Sequence, residues 1–341
     1  MIGVETLTPE IEPAYREFVA RTPGALVYHS LAYRDLLLEN LGCHHEYLVA
    51  TEGDEVRGVL PLMWTGDDGA RVYNSLPFYG SHGSVLANGP EEESALIAAY
   101  DERVTAAGTL AATLVANPFA QRQPPEPVHN LTDERISQVT DLPADEDALL
   151  ELIESSARRN VRKARRTGIF ATTDATRLPA VAEIHRDNIQ ALGGRAKELS
   201  FFESVPRHFT EGSDFEVHVA LLDDEVVAGL LVFLFNGTAE YFTPAVAHDH
   251  RSEQPLALLL VEAMTAAAQR GCRRWNWGGT WSSQDGVYRF KRKWGARDGH
   301  YRYYVQLNDE SLLDAAPEEL RARFGDFYVV PFSALRTSGG S

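Results

Sequence analysis

The residue types best able to do chemistry lie in one stretch, residues 276–295, with the sequence NWGGTWSSQDGVYRFKRKWG. Trp and Asn alternate before a Gly-Gly pair, a pattern typical of a strand whose backbone another group approaches closely. A spacing of i, i+3, i+4 and i+7 then predicts one face of a short helix, formed by Val287, Phe290, Lys291 and Trp294. A lysine on such a face either extends its ammonium to water or stays partly desolvated, where its charge acts strongly on a bound group.

Basic side chains concentrate here and in one further segment. Arg289 and Lys293 lie on the other faces of the predicted helix that carries Lys291. The second segment, residues 149–168, predicts a helix with three arginines on one face: Arg158, Arg162 and Arg165. Two interpretations of that face remain open: a solvated surface that answers acidic neighbours, or a surface that binds phosphate groups.

Composition places the chain among globular proteins. It has 341 residues, of which 44% are hydrophobic, enough for two domains with full cores. The formal net charge of −17 repels nucleic acid and anionic membranes, so any polyanion must be bound by a local basic patch. Two cysteines and an acidic N-terminus without an apolar core predict a cytoplasmic protein without disulfides, and no apolar run reaches membrane-spanning length.

The order of predicted elements repeats along the chain. Two helices, the second with Ser30 as its N-cap, precede a hairpin, a strand, a long helix and a strand from Thr109 to Val115. The hairpin returns at a shift of 170 positions, since the sequence Asp-Glu-Val at 54–56 recurs at 224–226. We therefore expect two copies of one α/β (α+β) unit with mixed sheets flanked by helices. The predicted units are residues 1–147 and 148–341, joined by a Pro-rich and acidic segment, 120–147.

Several motifs together resemble the Fem-type (FemABX) aminoacyltransferases, a group of tandem GNAT-fold proteins. The motifs are ARRNVRKARRTG at 157–168, AEYFTPAVA at 239–247, WNWGG at 275–279 and GVYRFKRKWGA at 286–296. The resemblance implies two GNAT-like domains that face one another across a cleft, with a Phe-Lys motif in the second. It also implies transfer of an aminoacyl group from charged tRNA to an amine of a peptide or peptidyl small molecule, such as a peptidoglycan precursor or a natural product.

The resemblance also implies roles for single residues. Phe290 and Lys291 occupy the family's Phe-Lys pair, in which the lysine is thought to meet the negative charge of the tRNA end or of the transition state. Tyr241 matches the family's aromatic residue on the strand before the long helix, and Arg195 matches a substrate-contacting arginine. Asn276 stands where the family commonly has aspartate.

Further contacts are predicted on both substrates. Trp277 is expected to contact substrate from the strand before the Gly-Gly pair, and Tyr79, in the passage PFYGSHG, is either an acceptor contact or a packing aromatic. Five basic residues are expected to meet the phosphates of charged tRNA: Arg158, Arg162, Arg165, Arg289 and Lys293.

The predicted chemistry needs few groups. Aminolysis of an ester requires a neutral amine about 3–3.5 Å from the carbonyl carbon, together with positive charge or hydrogen-bond donors at the developing oxyanion. Lys291 can supply that charge. The sequence shows no nucleophile-base motif and no histidine cluster with metal-ligand spacing, so we expect direct attack by the amine without a metal or cofactor.

Two other classes of function remain open. A GNAT acyltransferase that uses acyl-CoA would bind pyrophosphate on a glycine-containing loop before the long helix. That loop, residues 251–257, has no glycine, and the first half places three glutamates, at 91–93, where they would repel a phosphate. The third class is a non-catalytic module built from the same units, which would tolerate replacement of Lys291.

Overall fold

The computed structural model describes residues 2–77, 82–281 and 283–336. Within these ranges the chain forms fifteen strands and ten α-helices. The strands are β1 (Gly3–Thr6), β2 (His44–His45), β3 (Leu48–Glu52), β4 (Glu55–Leu60), β5 (Met63–Thr65), β6 (Arg71–Asn74), β7 (Leu86–Ala87), β8 (Thr109–Val115), β9 (Leu131–Asp141), β10 (Phe170–Thr173), β11 (Phe215–Leu222), β12 (Glu225–Phe235), β13 (Thr238–Val246), β14 (Arg274–Thr280) and β15 (Arg297–Leu307). The helices are α1 (Glu12–Arg21), α2 (Leu31–Leu41), α3 (Pro90–Val104), α4 (Glu146–Leu152), α5 (Ser155–Arg166), α6 (Leu178–Ala191), α7 (Leu199–His208), α8 (Pro255–Gln269), α9 (Asp285–Arg292) and α10 (Pro317–Phe324).

The chain divides into two compact units: Met1–Arg135 with His300–Ser341, and Ile136–Gly299. These units differ from the linear division after residue 147. The end of β15 pairs with β8, with Tyr303 opposite Val115, so the C-terminal residues pack with the first unit. The segment 120–147, expected to be a linker, contains β9, whose last six residues pair with β14.

The first unit contains two sheets, with strand orders β1-β3-β4-β7 and β15-β8-β6-β5-β2. α3 buries Leu96 and Tyr100 against core residues of β3, β4 and β8. The predicted helix start at Ser30 is confirmed, because its hydroxyl accepts a hydrogen bond from the Tyr33 N–H at 3.1 Å. The predicted hairpin is also confirmed, as β3 and β4 pair antiparallel around a turn in which Gly53 has φ +60°.

The second unit contains strands in the order β10-β11-β12-β13-β14-β9. Its strands are antiparallel except for β13 and β14, which are parallel. α8 buries Leu259 and Met264 in a core that also contains Trp275 and residues of α5. α6 packs against β12 and β13, and a Cβ at Gly229 of β12 would meet the Val181 side chain at 2.2 Å. None of the described helices is long and apolar enough to cross a membrane.

The internal repeat is visible in the strand register. A bulge interrupts the β3–β4 pairing between Ala50 and Thr51, and the β11–β12 pairing has its bulge between Ala220 and Leu221. These positions preserve the shift of 170 residues seen in the sequence. In each unit a later strand pair is parallel, β6 with β8 and β13 with β14. The two units therefore repeat one α/β topology.

The helix predicted over residues 149–168 is two helices. α4 ends at Leu152, and the next two residues are extended, with ψ 154° at Ile153 and ψ 152° at Glu154. The Glu154 N–H donates to the Lys293 carbonyl at 2.9 Å, which draws the chain away from a helical path. Arg158 donates to carbonyls at the end of α4, including that of Leu150 at 2.9 Å, so it satisfies acceptors that the break exposes.

Candidate functional site

The candidate site begins where two parallel strands separate. β13 and β14 pair over three positions, which end at Glu240 and Asn276. Beyond them β13 continues along β12, with a bulge that skips Phe242 in the register. β14 continues along β9, and its own irregularity includes Gly278 with φ +71°. Since the two strands stop pairing partway along their length, a wedge opens between them in the middle of the sheet.

A cavity of about 440 Å³ lies at the far end of β13. Its walls are residues 244–246 of β13, the first turn of α8, one side of α5 and the end of α9 with Phe290 and Trp294. Small-molecule sites in proteins have volumes of roughly 300–1,000 Å³. The cavity is therefore large enough to hold a small ligand or the end of a larger one.

The start of α8 faces this cavity. Pro255 occupies the first turn, and no acidic residue lies there. The residue before it, Gln254, adopts a left-handed conformation with φ +65°, which turns the chain sharply into the helix. Unpaired N–H groups and the helix dipole make such a terminus favourable for a negative charge.

Two cations line the same cavity. Arg251 and Lys293 both line the cavity, and neither has an ion-pair partner among the described residues. The amide side chain of Asn160 on α5 also lines it. A ligand with phosphate or carboxylate groups would therefore meet positive charge from two side chains of the cavity wall.

Aromatic side chains connect the cavity to the strand split. The rings of Tyr241 and Trp277 lie 4.9 Å apart, and Trp277 lies 6.2 Å from Phe290 at a nearly perpendicular angle. The Trp277 indole donates to the Thr140 hydroxyl at 2.9 Å, which fixes its orientation. Burial raises the pKa of the Tyr241 hydroxyl well above its ordinary value, so this group remains a neutral donor. Tyr241, Trp277 and Phe290, three of the predicted residues, thus form one cluster.

Lys291 lies beside Gly279 of the Gly-Gly pair and does not line the cavity. Its side chain is 4% exposed, and its ammonium donates to the Gly279 carbonyl at 3.1 Å and to the Thr280 hydroxyl at 2.8 Å. No carboxylate within the described ranges forms an ion pair with it. Burial lowers the pKa of Lys291 from 10.5 to about 8. A buried lysine without an acidic partner is rare in proteins, because its desolvated charge is uncompensated.

Asn276 contacts a carboxylate on the neighbouring strand. Its amide donates to Glu240 Oε2 at 2.7 Å, and both side chains are buried. Its amide oxygen accepts the Gly278 N–H at 2.9 Å. A carboxylate is therefore present at this level of the sheet, but it belongs to β13 rather than to position 276 of β14.

The remaining predicted site residues lie away from this cluster. Arg195 is exposed in the loop after α6, and it does not line the cavity. Arg289 is exposed and lies 3.6 Å from Asp285. Tyr79 lies outside the described residues. Val287 was expected on the buried face of its helix, but it is 42% exposed because α9 buries mainly its last turn.

The three arginines predicted to form one face of α5 do not have the same surroundings. Arg158 is bonded to the end of α4, and Arg165 contacts Glu146 at 2.7 Å and Glu262 at 3.5 Å. Arg162 is exposed without an ion-pair partner among the described residues. The buried stripe of this helix is formed by Ala157, Val161 and Ala164. The exposed basic face opposite that stripe is formed by Arg159, Arg162, Lys163 and Arg166.

Sequence reasoning missed Asn160, Arg251 and Gln254 as site residues. The spacing of alanine and valine in α5 could have indicated its exposed basic face. With 3.6 residues per turn, the small apolar residues form the buried face, and the basic residues between them form the opposite, exposed face. Arg251 was considered only as part of a glycine-free loop. The left-handed Gln254 had no signal, because glycine is the residue that normally marks such a position.

Comparisons with known proteins agree with this architecture. Residues 154–292 match the acetyltransferase (GNAT) domain family. No curated protein sequence matches the chain. The crystal structure of FemX is similar over 91% of this chain and 98% of that chain, with 15% identity and a TM-score of 0.70.

Two further solved structures are similar along most of the chain. One is the C-terminal domain (DUF2156) of a putative lysylphosphatidylglycerol synthetase from Agrobacterium fabrum, with 13% identity over 94% of this chain and 98% of that chain, and a TM-score of 0.54. The other is a tandem GNAT protein from the clavulanic acid biosynthesis pathway, with 11% identity over 90% and 98%, and a TM-score of 0.51. The predicted Fem-type tandem GNAT fold is confirmed, and the domain match supports a GNAT-fold acyltransferase.

Proposed function

We propose that this protein transfers an aminoacyl group from charged tRNA to an amine of a peptide or peptidyl small molecule. The observation that carries the proposal is Lys291, a buried lysine without a carboxylate partner among the described residues, held at the strand split of a GNAT domain. A protein that needed this lysine for packing alone would gain stability from an apolar residue there. Retention of the charge is explained if a transient negative charge develops beside it.

The reaction requires this charge at one step. The lone pair of the acceptor amine attacks the ester carbonyl of the aminoacyl group, and the carbonyl oxygen becomes negative. The carbon–oxygen bond to the ribose then breaks, and the proton lost by the amine ends on the ribose oxygen. The ammonium of Lys291 has three N–H groups, of which two are used within the protein. The third is free to stabilise the oxyanion or the departing ribose oxygen.

The cavity supplies a place for the donor. The terminal adenosine and its ester would enter between α5, α8 and α9, where Trp294 and Phe290 provide apolar surface. Arg251, Lys293 and the first turn of α8 would meet the terminal phosphates. The exposed basic face of α5, which includes Arg162, would contact phosphates further along the acceptor stem.

The second candidate function is acyl transfer from acyl-CoA to an amine. The observation that favours it is the same free start of α8, because pyrophosphate is an equally suitable ligand for an uncapped helix terminus. The two candidates differ in the partner that binds. Acyl-CoA needs the cavity alone, whereas charged tRNA needs the cavity and a basic surface outside it.

Direct binding separates the candidates. We would measure binding of pooled aminoacylated tRNA, deacylated tRNA and acetyl-CoA to the full-length protein at low and moderate salt. The proposal predicts salt-sensitive binding with a preference for the charged tRNA, and fractionation by amino acid would then identify the donor. Saturable binding of acetyl-CoA without any tRNA binding would contradict the proposal and favour the second candidate.

A further inference from the structure

We propose that Gln138, acting through Thr280, is a positioning residue that holds the ammonium of Lys291 as a hydrogen-bond donor at the strand split. The inference deepens the proposed function, on which it rests for its consequence in catalysis. The hydrogen bonds that it describes exist in the free protein, so the inference can be tested without a substrate.

The three side chains form a continuous chain of hydrogen bonds. Lys291 Nζ donates to Thr280 Oγ1 at 2.8 Å, and the Thr280 hydroxyl donates to Gln138 Oε1 at 2.9 Å. Gln138 and Thr280 are both fully buried, and Lys291 is 4% exposed. Three separate elements contribute to this chain: β9, β14 and α9. Water does not compete strongly for these groups, so each partner sets the orientation of the next.

A threonine hydroxyl has one hydrogen, and its direction decides what the oxygen can accept. Because Thr280 gives its hydrogen to Gln138, its lone pairs face Lys291. Without Gln138 the hydroxyl could rotate and point its hydrogen at the ammonium, which would repel it. Gln138 therefore fixes Thr280 as an acceptor and Lys291 as a donor.

The orientation of the Gln138 amide is itself fixed. Its Nε2 donates to Asp298 Oδ1 and to the Tyr288 carbonyl, both at 3.4 Å. The reverse orientation would place the amide oxygen against these two acceptors and its nitrogen against the donating hydroxyl of Thr280. Only the observed orientation satisfies all three groups that the amide contacts.

The charged groups around this chain lie at its outer end. Asp298, on β15, contacts Arg292 of α9 at 3.7 Å and accepts the Tyr288 hydroxyl at 2.7 Å. Glu240 of β13 bonds to Asn276 rather than to Lys291. The neutral Gln138–Thr280 pair thus separates the ammonium from the carboxylate of Asp298. This arrangement keeps Lys291 charged without neutralising its field by an ion pair.

The titration of Lys291 tests the inference. The chain has four lysines, Lys163, Lys197, Lys291 and Lys293, so a protein labelled with ¹³C at lysine Cε gives few side-chain signals. The Lys291 signal is assigned by its loss in Lys291→Met, and its midpoint is followed by NMR against pH. Thr280→Val, which removes the acceptor at nearly constant volume, should lower the midpoint by about one pH unit.

A double-mutant cycle tests whether Gln138 acts through Thr280. Gln138→Met should lower the Lys291 midpoint in the otherwise unchanged protein by about half a pH unit, and should have no further effect in the Thr280→Val background. Gln306→Met, the same substitution at a residue bonded to Asn308 in the first unit, should leave the midpoint unchanged. A folded Gln138→Met protein with an unshifted Lys291 midpoint would overturn the inference, as would additive effects in the double mutant.

The two proposals fail separately. Where transfer from charged tRNA is measurable, the basic limb of its pH–rate profile should move by the same amount as the Lys291 midpoint. If Gln138→Met shifts the Lys291 midpoint only when Thr280 is present, but the protein does not transfer aminoacyl groups, the positioning role is supported and the proposed function is contradicted. If transfer depends on Lys291, but Gln138→Met leaves the Lys291 midpoint unchanged, the proposed function is supported and the positioning role is contradicted.

Discussion

The two units use the start of their long helix in opposite ways. In the first unit α3 begins with three acidic residues, and two of their carboxylates are buried, with Glu92 5% and Glu93 7% exposed. Arg57 contacts Glu92 at 3.3 Å, and Arg122 contacts Glu93 at 3.2 Å. These carboxylates occupy the positive end of the helix dipole. In the second unit α8 has no acid in its first turn, and that turn lines the cavity of about 440 Å³.

The two units also differ at the point where their parallel strands stop pairing. In the first unit the parallel pairing of β6 and β8 ends at Asn74 and Thr113. The backbone of Tyr328 lies there: its N–H donates to the Asn74 side chain at 2.7 Å, and its carbonyl accepts from Asn74 at 2.8 Å and from Thr113 at 3.2 Å. The chain's own C-terminal segment therefore takes up the hydrogen-bonding groups that the split exposes.

A repeated topology therefore does not imply a repeated site. One copy has buried carboxylates at its helix terminus and the C-terminal segment at its strand split, whereas the other has no acid at its helix terminus, which lines a cavity. We therefore expect one donor molecule per chain, bound by the second unit.

The largest effect is expected from Lys291. If the second unit performs the chemistry, Lys291→Met should slow transfer by roughly two to three orders of magnitude, since loss of one oxyanion donor typically costs about 2.7–4 kcal/mol of barrier. Single-turnover transfer from charged tRNA measures the effect. Lys197→Met, which removes a lysine that lies over the Phe201 and Phe242 rings, serves as the matched control and should retain near wild-type rates. Wild-type transfer by Lys291→Met would break the assignment of chemistry to this lysine.

A second prediction concerns stability, because each unit buries a basic side chain. His29 in the first unit bonds to backbone groups, and burial lowers its pKa to about 4, so it stays neutral at pH 7. Lys291 has a pKa of about 8 in the folded protein against 10.5 ordinarily, so between these values the unfolded chain binds more protons. The free energy of unfolding of the wild type, relative to Lys291→Met, should therefore rise from pH 7 to pH 10.5, by roughly 3 kcal/mol. Urea unfolding of both proteins across this range tests the sign, and a constant difference would contradict it.

A third prediction transfers the first unit's acid to the second. Leu256 occupies the position in α8 that Glu91 occupies in α3, directly after the helix-starting proline. Leu256→Glu should weaken donor binding about ten- to hundredfold, because a carboxylate would repel the donor phosphates at the cavity. The same change removes a side chain that packs against the core of the second unit, so it should lower stability, and the helix N-terminus should offset about 0.3–1 kcal/mol of that loss because it favours an acid. Leu256→Gln is the neutral control, and equal donor affinity of the two variants would show that phosphate does not bind at this terminus.

Much of the fold could be predicted from the sequence because local signals agreed with tertiary structure. The strand from Thr109 to Val115 and the capped start of α2 at Ser30 follow from patterns of adjacent residues. The break at Ile153 and Glu154 could not be predicted, because it depends on a hydrogen bond to Lys293, far away along the chain. The placement of the C-terminal residues in the first unit depends likewise on long-range pairing of β15.

The candidate site was predictable in its residue types but not in its arrangement. Helical spacing placed Lys291 on the apolar face of its helix but left its burial open. The burial depends on hydrogen bonds to Gly279 and Thr280, which follow from the path of β14 after the strand split. The carboxylates that form ion pairs with Arg165 belong to α4 and α8, and no local sequence pattern connects these helices to α5. Sequence patterns report which groups are available, whereas ion pairing decides which of them stay free.

The smallest effect tests that last point. Arg162 and Arg165 lie on the same exposed helix, but only Arg165 has carboxylate partners among the described residues. If charged tRNA binds the free face of α5, Arg162→Gln should weaken binding roughly fivefold at moderate salt and reduce the slope of log affinity against log salt by about 0.7–0.9. Arg165→Gln should leave this slope nearly unchanged, because its charge is already neutralised by Glu146 and Glu262. Equal slopes for both variants would mean that the basic residues of α5 serve their acidic neighbours alone, and the donor would then be recognised by the cavity without them.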